Sequence, residues 1–498
     1  MISSERMAAV DANAAALGVP RKQLMESSGN AVAREVRAAS DPGDAVALVC
    51  GRGNNGGDAF VAARFLADRD VTVHLLGRPE SIGTTIAREN WEALRAAEIP
   101  ITIVTDSAEV NLGSPDVVVD AMLGTGIAGG LREPARTAAE AITELRGDAD
   151  DGSAGTTVIA VDVPSGMDAD TGESTGGEAA IAVDADRVVT FHDAKPGLAR
   201  IEANVTVADI GIPVAAERYT GPGDLHGLGR DPDSHKGENG EVLVVGGGPY
   251  TGAPALSARA ALRAGADLVR VACPAGVADE VQGYSADLIV RELPGDALAP
   301  DHFRRVADLA ADGDVVVIGP GMGDSEGSLE LARRFLADFH GRAVVDADAL
   351  RLVPEVETDA ELVCTPHQGE LRGMGGETAA DPDERAELVR EFAAELGHTL
   401  LVKGRYDVVA GRTADADAGE TWTVRQNRTG NPGMTVGGTG DVLAGTVGAL
   451  AARTAPFEAA AAGAYVNGLA GDSAAAENGH GLVATDLIDR LPHALYDE

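Results

Sequence analysis

The segment Asn431-Pro-Gly-Met-Thr-Val-Gly-Gly-Thr-Gly-Asp441 packs four glycines and one carboxylate into eleven residues. An apolar helical pattern follows at Val442, Leu443, Ala444, Val447 and Leu450. A glycine loop that opens a helix aims free backbone N–H groups, and the positive end of the helix dipole, at one anion. Asp441 stands at that entrance. A fixed carboxylate repels a resting phosphate. It is better suited to taking the proton of a hydroxyl while a phosphoryl group is transferred to it.

The first half of the chain carries a second glycine loop, Gly51-Arg-Gly53-Asn54-Asn55-Gly56-Gly57-Asp58, between an apolar run and a helical pattern. Gly51, Gly53 and Gly56 match the dinucleotide spacing G-x-G-x-x-G, which expects an acid about twenty residues on. Leu75-Leu76-Gly77-Arg78 stands there instead, and Arg78 suits a 2′-phosphate, so a nicotinamide reductase stays open as a reading. Asn54 and Asn55 offer amide oxygens to a cation or a sugar, and Asp58 suits a helix N-cap. Asp120-Ala-Met-Leu-Gly124-Thr-Gly126 and Asp162-Val-Pro164-Ser165-Gly166-Met-Asp168 end two further apolar runs. Ligands of open α/β sheets bind beyond the strand C-termini. Asn55, Asp120 and Ser165 can therefore give oxygens to one hard cation, and Asp162 can reach a substrate as acid or base.

In the second half the motifs again fall at the ends of apolar runs. They are Ser234-His-Lys236-Gly, Gly246-Gly-Gly248 with Thr251-Gly-Ala253, Gly319-Pro-Gly321-Met-Gly323, Asp346-Ala-Asp348, Thr365-Pro-His367-Gln-Gly-Glu370 and Lys403-Gly-Arg-Tyr-Asp407. Each is weak alone. Their repeated placement points to one shared cleft.

The elements that must position these residues alternate. Strands are expected at Ala45–Cys50, 71–76, Ile101–Val104, 116–120, 157–163, 187–190 and 205–208, with helices near 59–68, 84–97 and 134–145. The N-terminus reads as an alanine-rich amphipathic helix. A loop-rich stretch, about 215–238, reads as a linker. Beyond it come strands at 242–245, 268–272, Val315–Ile318, 343–345, Glu361–Cys364, Thr399–Val402 and 407–410, then a mostly helical tail from 439. Alternation of this kind predicts two α/β domains with parallel, doubly wound sheets.

The length, 498 residues, fits two domains, and a formal charge of −39 makes nucleic acid or an anionic membrane an unexpected partner. The acidity, with 36 of the 40 basic residues being arginine, reads as a halophile-like solvated surface. Lys22, Lys195, Lys236 and Lys403 are the only lysines. The last three neighbour glycines in motif-like settings, where an ammonium point charge has a use. Cys50, Cys273 and Cys364 are isolated and read as buried thiols of a reducing cytoplasm. The sequence shows no signal peptide and no long apolar span, so a cytoplasmic protein is expected.

Residues 1–215 resemble the NAD(P)H-hydrate epimerase family (the YjeF N-terminal type). The likeness rests on the asparagine–glycine loop, on the Asp120 and Asp162 motifs and on Phe191-His-Asp-Ala-Lys195-Pro-Gly-Leu198. Ala59 replaces the last glycine of the family's first motif. The resemblance implies a Rossmann-like sheet. It implies a hydrated dinucleotide held by Asn54, Asn55, Gly56, Gly57 and Asp58 and by Gly124, Thr125, Gly126, Ile127, Ala128, Gly129 and Gly130. It implies K+ at Asn55, Asp120 and Ser165, and substrate contact with catalysis at Asp162. Residues 225–498 resemble the ADP/ATP-dependent NAD(P)H-hydrate dehydratases, which have a ribokinase-like fold. Here Ala253, Gly321, His367 and catalytic Asp441 are implied to face the hydrated nicotinamide. Lys403, Gly404, Arg405, Tyr406, Asp407 and Gly440 are implied to hold the adenine nucleotide. Pro254 and Ala266-Asp267 depart from the family pattern around the first helix. Mg2+ and ADP as co-substrate are expected, in a homo-oligomer. A ribokinase-like vitamin or sugar kinase fused to a nucleotide-binding domain is the alternative, and a non-catalytic scaffold is a third.

Overall fold

The computed structural model describes residues 1–126, 129–147, 155–177, 180–413 and 422–496. The chain divides into two compact units, Met1–Ala216 and Glu217–Glu498. The first unit is built on seven strands: β1 Ala45–Cys50, β2 Asp70–Leu76, β3 Ile101–Val104, β4 Val117–Ala121, β5 Thr157–Val161, β6 Arg187–Phe191 and β7 Asn204–Ala208. Their order is β3-β2-β1-β4-β5-β6-β7, and every pairing is parallel. Parallel strands are covered on both faces, which is why β1, β4 and β5 are nearly unbroken runs of buried Val, Ala, Leu and Ile. The order reverses between β1 and β4, which leaves a crevice beyond their C-terminal ends.

The N-terminal helical pattern is two helices, Ser4–Ala16 and Arg21–Ala39. Gly18, at φ +92°, and Pro20, which caps the second helix, break the run between them. The next helix begins at Asn54, so Gly56 and Gly57 lie inside it.

The second unit carries nine strands: β8 Glu241–Val245, β9 Leu268–Pro274, β10 Ile289–Leu293, β11 Val315–Ile318, β12 Arg342–Val345, β13 Glu361–Cys364, β14 Thr399–Val402, β15 Asp407–Arg412 and β16 Trp422–Asn427. The order is β10-β9-β8-β11-β12-β13-β14-β15-β16, parallel except for the antiparallel pairs β14–β15 and β15–β16. Its reversal lies between β8 and β11. Residues 219–228 are seated on this unit and do not form a free linker. Tyr219 bridges to Gln426, and Asp224 forms a buried ion pair with Arg425 at 2.6 Å. No helix among the described residues is long and apolar enough to cross a membrane.

Candidate active sites

In the first unit, backbone passes backbone where β1 ends. A Cβ on Gly51 would strike the Met122 carbonyl oxygen, and one on Gly56 would strike the Gly51 carbonyl oxygen. Asn54 accepts a hydrogen bond from the Thr84 hydroxyl at 2.7 Å, which ties this turn to the loop after β2. The Asn55 amide nitrogen donates to the carbonyls of Leu123 at 3.1 Å and Val161 at 2.9 Å, leaving its Oδ1 beside Gly124. Asp120, at the end of β4, is wholly buried. Its carboxylate accepts from the Ser165 hydroxyl at 2.6 Å, the Ser165 N–H at 2.7 Å and the Met122 N–H at 3.3 Å. Burial pushes its pKa up to about 6 against the pull of those bonds. The Ser165 hydroxyl also lies 3.2 Å from the Leu123 carbonyl oxygen. Asn55 and Ser165 thus meet at the Leu123 carbonyl, and Asp120 joins them through Ser165. Every available donor is oxygen, and the buried carboxylate is bonded only by neutral donors, which suits a hard cation.

Asp162 follows β5 at φ +66°, a conformation a non-glycine residue holds only when its surroundings impose it. Its Oδ1 accepts from the Lys195 ammonium at 2.6 Å and the Thr190 hydroxyl at 3.0 Å. Lys195 is 1% exposed and donates further to the Thr190 hydroxyl and the Phe191 carbonyl. His192 is also left-handed, at φ +68°. Asp58 is not the helix N-cap. Gly53 holds that position, and Asp58 is buried within the first turns of the helix. Burial, then Asp162 and Asp11, raise the Asp58 carboxyl well above the usual range. Asp11, on the N-terminal helix, is raised by burial, with Arg21 and Lys195 opposing. Three carboxyls and one buried ammonium therefore share this corner. Gly130 abuts Gly176. Ile127 and Ala128 lie outside the described residues.

In the second unit, β8 and β11 present their loops side by side. A Cβ on Gly246 would strike the Pro320 carbonyl oxygen, and one on Gly321 would strike the Tyr250 carbonyl oxygen and crowd Ala253. The ends of β12, β13 and β14 supply Asp346, Thr365 and Lys403. The Lys403 ammonium donates to Asp346 Oδ1 at 3.0 Å, the Thr365 hydroxyl donates to the same oxygen at 2.8 Å, and Glu370 lies 3.9 Å from the ammonium. His367 bridges to Lys403 along the backbone. Its Nδ1 accepts from the N–H groups of Gly369 at 2.9 Å and Glu370 at 3.0 Å, so a neutral ring carries its proton on Nε2, and that ring is exposed.

The helix Thr439–Ala451 starts on Gly438, at φ +94°, and no side chain caps it. Asp441 sits in its first turn, and its carbonyl accepts from the Ser257 hydroxyl at 2.8 Å. A Cβ on Gly440 would come within 3.3 Å of the Lys403 ammonium. Burial, then the Asp346 charge, push Asp441 up to about 7, with Lys403 opposing. Burial acts to lower Lys403, but Asp346 and Glu370 outweigh it and hold the ammonium protonated. The Asp407 carboxylate is spent inside its own turn, accepting from the Gly404 N–H and the Asn427 amide, both at 3.0 Å. Tyr406 is held through its carbonyl by Arg385 at 2.8 Å, and Gly404 and Arg405 are exposed.

The motifs thus assemble into two corners. Lys236 is exposed and belongs to neither, and Lys22 pairs with Glu89 on the surface at 2.5 Å. Asp11, Thr190 and Ser257 were invisible as site residues because they lie in no motif. The Asp346 motif was visible, but its partner Lys403 is 57 residues away in sequence.

A family model described as NAD(P)H-hydrate dehydratase matches residues 242–493, and one described as YjeF-related protein N-terminus matches residues 21–197. The bifunctional NAD(P)H-hydrate repair enzyme Nnr of Methanothermobacter thermautotrophicus is 43% identical over 98% of this chain and 94% of its own length. The protein of that name from Pyrobaculum aerophilum is also 43% identical, covering 99% of this chain and 98% of its own. A solved ADP/ATP-dependent NAD(P)H-hydrate dehydratase from Bacillus subtilis, co-crystallized with ATP/Mg2+, is 26% identical over 53% of this chain and 92% of its own, at a TM-score of 0.46. With relatives matched along nearly their whole length, and a family model for each compact unit, the chain belongs to the family of bifunctional NAD(P)H-hydrate repair enzymes.

Proposed function

We propose that residues 1–215 epimerise the R and S hydrates of NADH and NADPH, and that residues 225–498 dehydrate the S hydrate at the expense of ADP. Water leaves a ring carbon poorly. Phosphorylating the C6 hydroxyl turns the leaving group into phosphate, and its elimination, with loss of a proton from C5, restores the dihydropyridine. Asp441 takes the hydroxyl proton as the β-phosphoryl group of ADP moves onto that oxygen, its bond to the α-phosphate breaks and AMP leaves. The uncapped amides at the start of its helix meet the transferring phosphoryl group, and Lys403 faces the same point. Ala253, Gly321 and His367 line the hydrated nicotinamide. The Lys403–Asp407 turn and Gly440 take the nucleotide, with Asp407 shaping the turn from within. A magnesium ion bound to the nucleotide would neutralise its phosphate charge.

In the first site Asp162 is the acid–base group at the C6 hydroxyl, and Lys195 with Thr190 fixes its carboxylate. The loops 54–58 and 124–130 hold the dinucleotide. A potassium ion held by Asn55, Asp120 and Ser165 would supply fixed positive charge for the substrate's phosphates.

One observation carries the dehydratase reading: the Asp441 carboxyl, pushed up to about 7 by burial and the Asp346 charge, stands in the first turn of an uncapped helix that abuts the Lys403 ammonium. A general base works best when its pKa lies near the working pH. The test incubates purified S hydrate with ADP, ATP or neither and follows recovery of dihydronicotinamide absorbance. Recovery is expected with ADP. Asp441→Asn should lose about 10²-fold or more, while ADP binding persists. Turnover near wild type would overturn the reading.

A further inference from the structure

We propose that Asp346 is the positioning residue of the dehydratase site: it anchors the Lys403 ammonium at the glycine-initiated helix, so that the Asp346–Lys403 ion pair stands beside the turn that carries Asp441. The inference deepens the reading of Asp441 as base and rests on it. Asp346 ends β12 and is 3% exposed. One of its oxygens receives both the Lys403 ammonium, at 3.0 Å, and the Thr365 hydroxyl, at 2.8 Å. Three neighbouring strand ends are thereby fastened to one atom. The ammonium so held lies against Gly440, next to Asp441 in the chain.

Among the described residues, two charges act on Asp441. Asp346 comes from the end of β12 and Lys403 from the end of β14, and both act on it. Glu370, from the helix Gln368–Gly373, reaches the site only through Lys403, at 3.9 Å. The helix Gly252–Arg263 contributes the neutral Ser257 hydroxyl, bonded to the Asp441 carbonyl. Asp346 opposes ionisation of Asp441 and Lys403 favours it, and the Asp346 effect is the larger.

Asp346→Asn keeps the shape and an acceptor oxygen for Thr365 and Lys403 but removes the charge. The measurement is the pH profile of dehydration between about pH 5 and 9. A base must be ionised, so activity rises through its pKa. Losing a neighbouring anion makes Asp441 ionise more readily. The acid limb should therefore move to lower pH by about one unit or more. Lys403→Met should move it the opposite way. A limb left in place in Asp346→Asn, with only kcat reduced, would overturn the proposal and leave Asp346 a packing residue. If Asp346→Asn does not fold, Asp346→Ser carries the same two outcomes. Epimerisation and ADP binding by the same preparation report on folding of the two units. Asp441→Asn in the same assay separates this failure from failure of the base assignment. If that variant turns over normally, the base assignment is wrong. If it is dead and the Asp346→Asn limb is unmoved, only the present inference falls.

Discussion

Four lysines remain in this chain, and two of them stand in the two candidate sites. Both are joined to a carboxylate by a short ion pair with little solvent access. Such a pair is expensive to break from one side, because the surviving charge stays buried without its partner. Lys195→Met should therefore abolish epimerisation and also destabilise the first unit, by about 3–5 kcal/mol. Thermal unfolding followed together with R/S interconversion checks this. Loss of epimerisation with an unchanged unfolding temperature would show that Lys195 contributes chemistry and no stability. Lys236 is the exception to the scarcity argument. It is exposed and touches neither site, so scarcity alone does not single out a working lysine.

At the scale of elements, Asp441 is placed by the contact between the helices Gly252–Arg263 and Thr439–Ala451. That contact is close because Gly445 has no side chain. A Cβ there would strike the Ser257 carbonyl oxygen, on the residue whose hydroxyl holds the Asp441 carbonyl. Gly445→Ala should force the helices apart at a cost of about 1–3 kcal/mol. Dehydration should fall sharply while epimerisation by the same chain is unaffected. Equal loss of both activities, or of neither, would contradict this account of the helix contact. Most strands were legible in the sequence, since strands covered on both faces read as unbroken apolar runs. Two were not. β10 lies at the sheet edge with only Leu293 buried, and β16 ends in the polar Arg425, Gln426 and Asn427, which are buried because they hold neighbouring loops. The site was legible wherever glycines or paired asparagines marked a strand end. It was illegible where a residue from an unmarked helix, such as Asp11, completes it. Asp58 shows the limit of local rules: its spacing suits a cap, but the helix starts four residues before it.

The whole molecule carries a formal charge of −39. Like charges at this density destabilise a compact chain, and salt screens them as the Debye length falls from about 10 Å at 0.1 M to about 3 Å at 1 M. The unfolding temperature should therefore climb with KCl over that range. A flat or falling curve would show that the acidic surface is not limiting stability. Both units also follow one rule of construction. Each sheet reverses its strand order once, between β1 and β4 and between β8 and β11, and each candidate site runs along the strand ends from that reversal, to Asp162 after β5 and to Lys403 after β14.

In the proposed mechanism, dehydration proceeds through a phosphate ester on the C6 oxygen, with Asp441 accepting that hydroxyl's proton. That mechanism is tested most directly by preparing the S hydrate with ¹⁸O in the C6 hydroxyl, incubating it with ADP and unlabelled water, and analysing the products by mass spectrometry. The account predicts one ¹⁸O in each inorganic phosphate released, in step with dihydronicotinamide formed, and almost none from Asp441→Asn. Label appearing in water, with unlabelled phosphate, would mean that the hydroxyl leaves without being phosphorylated, and would contradict it.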